Sequence, residues 1–322
     1  MNGDITDVAG IRVGHAQNAG ALTGVTVVLC EQGAVAGCDV RGSAPGTRET
    51  DLLRPMNLVQ QVHAVVLTGG SAYGLDACGG VMRYLESRNV GYDMGMVRVP
   101  IVPGAVIFDL GCGDPRVRPD AGMGFQACEN AGTGAIAQGN AGAGTGATVG
   151  KMFGMEWAMK GGAGSVSSVL GNGVTVGAIV VVNSFGDVID PDSGNILAGA
   201  RNPVTGAFAG TTRMMLHGFG AGDLTGGCST TIGVIATDAC LTKEEVNKVS
   251  QMAHDGLARA INPVHTMYDG DAIFCLSLGR KNAEVNTIGV AAAEVMAKAV
   301  VQAVMKATTV GKILSAQDMA AR

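Results

Sequence analysis

No run of lysine and arginine appears in this chain, and its formal net charge is −5, so the electrostatic footprint of a nucleic-acid binder is missing. The eight cysteines (Cys30, Cys38, Cys78, Cys112, Cys128, Cys228, Cys240, Cys275) contain no C-x-x-C pair, and the five histidines (His15, His63, His217, His254, His265) share no ligand spacing. That pattern argues against a disulfide framework or a zinc site; it reads as reduced thiols, and neither a metal nor a cofactor is expected. No uninterrupted apolar stretch approaches the roughly 18 residues that span a bilayer. The opening Met1-Asn2-Gly3-Asp4 has neither a basic segment nor an apolar one, so the expectation is a cytoplasmic protein with no membrane partner. Charged residues make up only 15% against 47% apolar, which excludes a disordered chain.

Glycine is what the chain has in abundance, at 51 of 322 residues. Such a sequence needs many tight turns and close backbone approaches, because glycine alone accepts positive φ freely. Val- and Ile-rich runs predict strands over residues 25–30, 64–67, 174–182, 232–236 and 272–278. Three helices are expected between and after them. The first follows Gly69-Gly70, is capped by Ser71 and carries Leu75, Cys78, Met82 and Leu85. Thr242 and Glu245 form a capping box that opens the second, with Val246, Val249 and Met252 on its apolar face, and Asn262-Pro263 ends it. The third covers roughly 288–305, with Val290, Ala293 or Glu294, Ala297 and Val301 on one side. Residues 132–150 are mostly Gly, Ala, Thr and Asn with no flanking shift in charge, and read as a loop inside a single domain of residues 1–322. Strands and helices in mixed order favour a layered α/β sandwich over a barrel or a Rossmann domain.

The chemistry concentrates at Ser229-Thr230-Thr231, after Gly218, Gly220, Gly222, Gly226 and Gly227 and before the run 232–236. If the bond between Ser229 and Thr230 breaks, Thr230 gains a free α-amine beside its own hydroxyl, so one residue supplies both nucleophile and base. An α-amine titrates at about 7.7–8.0 and can accept the hydroxyl proton near neutrality. Cys228 is a rival nucleophile if the cut falls earlier. Locally, the same three residues also fit the β-branched start of a strand.

Other segments are candidates to serve that centre. The stretch Gly142 to Lys151 invites a phosphate-loop reading and fails it, since Thr145 stands at the first required glycine and Met152 replaces the Ser or Thr. A lone Lys151 is more often solvated, yet after a glycine-rich loop it can be buried where it stabilises charge. Gly69-Gly70-Ser71-Ala72-Tyr73-Gly74 is not a nucleophile elbow, because Tyr73 occupies a glycine position; its backbone amides could hold an oxyanion or a carboxylate. Asp269-Gly270-Asp271 puts two carboxylates on one face of an extended segment, where they could hold the Thr230 amine and hydroxyl, or else marks an Asp-Gly turn. Asn183, closing the run 174–182, offers an amide donor for an oxyanion hole or is a turn residue.

Taken together, these pieces resemble the self-cleaving N-terminal-nucleophile hydrolases that include the L-aminopeptidase/D-amidase/D-esterase enzymes, the β-peptidyl aminopeptidases and the nylon-oligomer endohydrolases. The resemblance spans nearly the whole chain and rests on the motifs from Leu67 to Leu75, Gly146 to Lys151, Val182-Asn183, Thr230 to Asp238 and Asp269-Gly270-Asp271. It implies a four-layer αββα sandwich, resembling other N-terminal-nucleophile hydrolases with different strand connectivity. It also implies self-cleavage into 1–229 and 230–322, and a homo-oligomer, a tetramer, of cleaved protomers acting on a small peptide or amide. By the same resemblance Thr230 is the nucleophile, Asn183 the oxyanion donor, Asp269 and Asp271 the positioning pair, and Lys151 a lysine near the nucleophile. Phe108 stands where some relatives have an active-site Tyr, and with Tyr73 is expected at the substrate. Two aspartates at the paired positions resemble the nylon-hydrolase branch, since the peptidase branches tend to carry Ser and Glu. Ser229 departs from the Asn or Gly that some relatives have before the cut. The competing expectation is an uncleaved, non-catalytic binding or scaffold protein.

Overall fold

A computed structural model describes residues 3–219 and 229–320. Gly220, Gly222, Gly226, Gly227 and Cys228 lie outside the described residues, so the glycine approach and the rival thiol have no structural account. Nine strands make one continuous hydrogen-bonded system: β1 (Arg12–Asn18), β2 (Thr23–Val40), β3 (Thr47–Arg48), β4 (Gln61–Thr68), β5 (Gly104–Val106), β6 (Gly162–Val169), β7 (Thr175–Asn183), β8 (Thr230–Ala239) and β9 (Ala272–Lys281). Their order is β6-β7-β8-β9-β2-β4-β5-β3, with β1 also on β2.

The long strand β2 makes two layers out of this system. Its first half pairs with β1 and β4, its second half with β9, and the pairing with β4 shifts register between Leu29 and Ala34. Alternation along the strands then sorts side chains to two faces. Val28, Val65, Leu67, Ile179, Val181, Ile232, Val234 and Phe274 meet in a core between the two sheets. Opposite faces, with Val176, Ala178, Val180, Ile235 and Cys275, pack on helices α3 (Lys243–Ala260) and α4 (Val285–Met305). Val25, Val27, Leu29, Ala64 and Val66 pack on the other side against α1 (Ala77–Ser87) and α2 (Ala121–Glu129). Three cores between four layers are an αββα sandwich, as expected.

All five predicted strands are present; four are longer than their apolar runs, and the run 174–182 is met by a strand of the same length shifted by one residue, Thr175–Asn183. The capping box is present: the Thr242 hydroxyl accepts from the Glu245 amide at 3.3 Å and the Glu245 carboxylate from the Thr242 amide at 2.8 Å. Two details differ. Ser71 does not cap a helix: it has φ +54 and opens a 3-10 turn, Ser71–Asp76, whose cap is Gly70 at φ +81. Of the expected apolar side of α4, Ala293 and Ala297 are buried, but Val290 is exposed and Val301 half-buried; the buried face is centred on Ile288, Ala292, Val295, Met296, Ala299, Val300 and Ala303, rotated from the expected one. Among the described residues α4 alone has the length and mean hydropathy of a membrane span, and 67% of that stretch is buried.

Candidate active site

Three strand ends converge on one point. The last residue of β7, Asn183, is the antiparallel partner of Thr230, the first of β8. Beside them β9 runs parallel to β8, and an isolated parallel bridge joins Ser229 to Asp269 just ahead of it. Ser229 and Thr230 are buried at 0% and 4% exposure, so the step that the sequence singles out lies inside the fold.

The bond joining them is held on both sides. The Thr230 hydroxyl donates to the Ser229 carbonyl at 2.5 Å, and the Gly270 amide donates to the same oxygen at 2.9 Å. Ser229 is anchored further by its own amide, which donates to the Tyr268 carbonyl at 2.8 Å. A Cβ at Gly270 would lie 2.9 Å from the Thr230 hydroxyl and 2.4 Å from the Ala44 carbonyl oxygen. Only glycine lets that backbone approach so closely.

Lys151 is buried, contrary to what a lone lysine suggests. Its ammonium donates to the carbonyls of Thr148 (2.9 Å), Asn183 (2.8 Å) and Ser184 (3.3 Å), to Asn183 Oδ1 (3.0 Å) and to the Ser229 hydroxyl (3.3 Å). Asn183 is thereby oriented: Oδ1 also accepts from the Thr148 amide at 3.0 Å, and Nδ2 donates to the Phe108 carbonyl at 3.1 Å. An amide nitrogen carries two N–H bonds, so Nδ2 has a second to give.

The two aspartates have separate hydrogen-bond partners. Asp269 accepts from the Phe185 amide (3.1 Å) and from the amide and hydroxyl of Thr266 (2.9 and 2.6 Å). Burial, then the charge of Asp271, pushes its carboxyl above the usual range. Asp271 accepts from the Thr231 amide at 2.6 Å and from His265 Nδ1 at 2.7 Å. Among the described residues neither carboxylate is hydrogen-bonded to Thr230, whose amine and hydroxyl they were expected to hold: in the intact chain the amine is an amide and the hydroxyl donates to the Ser229 carbonyl.

Thr230, Asn183, Lys151, Asp269 and Asp271 are therefore brought together, with Phe108 joined through its backbone. Tyr73 is an exposed ring stacked under the Arg118 guanidinium at 3.9 Å, and among the described residues no hydrogen bond joins it to the cluster. Two amides after Gly69 are already taken, Gly70 by the Asp109 carboxylate (2.7 Å) and Ser71 by the Ile107 carbonyl (3.0 Å). Sequence reading missed Gly270 as an amide donor, Phe185 and Thr148 as backbone partners, and His265. Of these only Gly270, placed between two aspartates, left a signal.

A sandwich of this layering with an inner strand that starts on a buried threonine defines the N-terminal-nucleophile type of hydrolase fold. The chain belongs to peptidase family S58, whose model matches residues 3–316. It is 44% identical over 345 residues to an uncharacterized aminopeptidase of Mycobacterium tuberculosis, covering 98% of this chain and 97% of that one. A 6-aminohexanoate-oligomer endohydrolase of Kocuria sp. is 32% identical over 314 residues, with 92% and 84% covered. Among solved structures, the beta-aminopeptidase of Burkholderia sp. superposes with a TM-score of 0.72 at 23% identity, covering 98% and 91%. The L-aminopeptidase D-Ala-esterase/amidase of Ochrobactrum anthropi, described as a new variant of the Ntn hydrolase fold, gives 0.73 at 20% identity, covering 97% and 90%. The protein is a hydrolase of peptide or amide bonds.

Proposed function

We propose that the chain activates itself by cleaving between Ser229 and Thr230, and that Thr230 is then the N-terminal nucleophile of an amide hydrolase. The observation that carries this reading is the buried Thr230 hydroxyl 2.5 Å from the Ser229 carbonyl oxygen, to which the Gly270 amide also donates. In self-cleavage, Thr230 Oγ1 attacks the Ser229 carbonyl carbon, its proton passes to the Thr230 nitrogen and the C–N bond breaks, so the acyl group moves to oxygen as an ester and the nitrogen leaves as an amine. The Gly270 N–H stabilises the oxyanion of the tetrahedral stage. Water hydrolyses the ester, leaving a carboxylate on Ser229 and a free amine on Thr230.

In turnover the Thr230 amine takes the hydroxyl proton as the oxygen attacks a substrate amide, then returns it to the leaving amine. Asn183 Nδ2 and a backbone N–H face the oxyanion, Lys151 fixes the Asn183 amide and adds positive charge, and Asp269 and Asp271 position the new ammonium. Phe108 and Tyr73 border the substrate. We place this activity in a cytoplasmic homo-oligomer of cleaved protomers. Relatives named as aminopeptidases and as 6-aminohexanoate-oligomer endohydrolases define the panel to assay: aminoacyl, β-aminoacyl and 6-aminohexanoyl amides.

Mass spectrometry and a denaturing gel test the reading. The parent is expected to give two chains, the smaller beginning at Thr230, and Thr230→Ala a single inactive chain of 32.4 kDa. A parent that stays whole on prolonged incubation, or a smaller chain beginning at any other residue, overturns it.

A further inference from the structure

His265 is the one histidine in contact with the site, and no step above uses it. It sits at φ +55, a left-handed conformation that costs most residues energy but in which histidine is enriched, and such strain persists where surrounding contacts hold it. Those contacts are with Asp271: the His265 ring Nδ1 lies 2.7 Å from Asp271 Oδ2, and the His265 backbone amide donates to the same oxygen at 3.3 Å. The carboxylate is 1% exposed, so its oxygens are satisfied by N–H donors of the protein in place of water. It has three, and His265 supplies two of them; the third is the amide of Thr231, next to the nucleophile.

The ring itself is clamped. It stands edge-on against the His254 ring, with centroids 4.8 Å apart at 69°. His254 is fully buried and its Nε2 contacts the Asp39 carbonyl at 3.0 Å. Since that carbonyl only accepts, Nε2 carries the His254 proton, and His254 Nδ1 and His265 Nε2 are left buried with no hydrogen-bond partner. Two such atoms are a cost that a purely structural contact has no need of, and they leave Asp271 as the only polar partner of the His265 ring.

We propose that His265 is a positioning residue that acts through Asp271. Its Nδ1–H holds the Asp271 carboxylate aimed along the start of β8, so that Asp271 holds the Thr231 amide and, after cleavage, faces the Thr230 ammonium. The inference rests on Thr230 being the nucleophile, and the ligand class it concerns is that ammonium, not the substrate.

Two variants separate this from a packing role. His265→Gly removes the ring donor and relaxes the left-handed backbone, whereas His265→Asn keeps an N–H donor at the Nδ1 position in a residue that tolerates the same φ. Turnover is measured per mole of chain that begins at Thr230. His265→Gly is expected to lower kcat by about 10²-fold with KM little changed, as for a misplaced catalytic group, and His265→Asn to recover most of the loss. Should His265→Gly fail to cleave at all, recovery of cleavage in His265→Asn supports the same conclusion. Equal kcat in His265→Gly and the parent, or equal loss in both variants, overturns the proposal. A parent chain that does not begin at Thr230 would instead overturn the functional reading, and the N-terminal mass tells the two failures apart.

Discussion

At the scale of single residues, the Asn183 amide faces two ways. Oδ1 accepts from the Thr148 amide and from Lys151, and Nδ2 donates to the Phe108 carbonyl. Truncation to alanine would strip both sides, so it would mix a lost donor with a loosened lysine. Asn183→Asp keeps the acceptor oxygen and removes the donor. It is expected to lower turnover by about 10²–10³-fold, the usual effect of losing one oxyanion donor, with the folded state retained by circular dichroism; unchanged turnover would remove Asn183 from the oxyanion role. The residue types were legible because Thr, Asn, Lys and the two Asp stand where strands begin or end. What was not legible is which way each side chain turns. The period of two puts Asp269 and Asp271 on one face of an extended chain but does not name their partners: Asp269 bonds back to Thr266, whereas Asp271 takes the Thr231 amide and His265. Lys151 reads as a surface residue because just one carbonyl of its cage, that of Thr148, is near it in sequence, and the others come from Asn183 and Ser184.

At the scale of elements, regular capping and Val-rich strands declared themselves, and glycine-rich segments did not. Strand β6, Gly-Ala-Gly-Ser-Val-Ser-Ser-Val, shows no apolar alternation because two of its glycines exist for packing: a Cβ at Gly164 would lie 2.1 Å from the Ala299 carbonyl oxygen and one at Gly162 2.5 Å from that of Ala303. Both oxygens belong to α4, so the helix backbone rests directly on the strand. The low-complexity stretch 132–150 has a similar reason. Its turn Gly142–Gly146 is buried throughout, and a Cβ at Gly144 would meet the Ala163 amide at 2.3 Å. Lys160, fully buried, donates to the Gly144 and Ala147 carbonyls at 2.9 and 2.8 Å and ties this turn down. Helix α3, by contrast, was found from its cap. Thr242→Ala is expected to lower unfolding free energy by about 1 kcal/mol in urea denaturation and to leave turnover unchanged, since the cap contacts no residue of the site. A loss of turnover at unchanged stability would mean that α3 does more than cover the sheet.

At the scale of the whole molecule, burial of histidines sets the response to acid. Burial pulls His15 and His254 down from 6.5 to about 4, and pulls His63 down as well. Between 6.5 and 4 the unfolded chain therefore binds protons that the folded chain refuses, and stability falls as pH falls, by up to about 1.4 kcal/mol per pH unit for each such group. Asp109, Asp187 and Asp269, raised above 3.8 mainly by burial, act with the opposite sign, because there the folded state holds the extra proton. Lys160, brought down by burial to about 7, adds stability as pH rises from 7 towards 10.5 and contributes a constant amount below that window. One variant isolates the histidine effect from the carboxylates, which are common to both proteins. In a Thr230→Ala background, where unfolding is not complicated by cleavage, His254→Asn is expected to lower Tm at pH 7. On acidification towards pH 4 the gap to its His254 parent should narrow, since the buried His254 imidazole, which must stay neutral, is present in the parent alone. A gap that is constant over that range would mean that His254 takes up its proton inside the fold as readily as outside it, so that its neighbours Asp39 and His265 accommodate the charge.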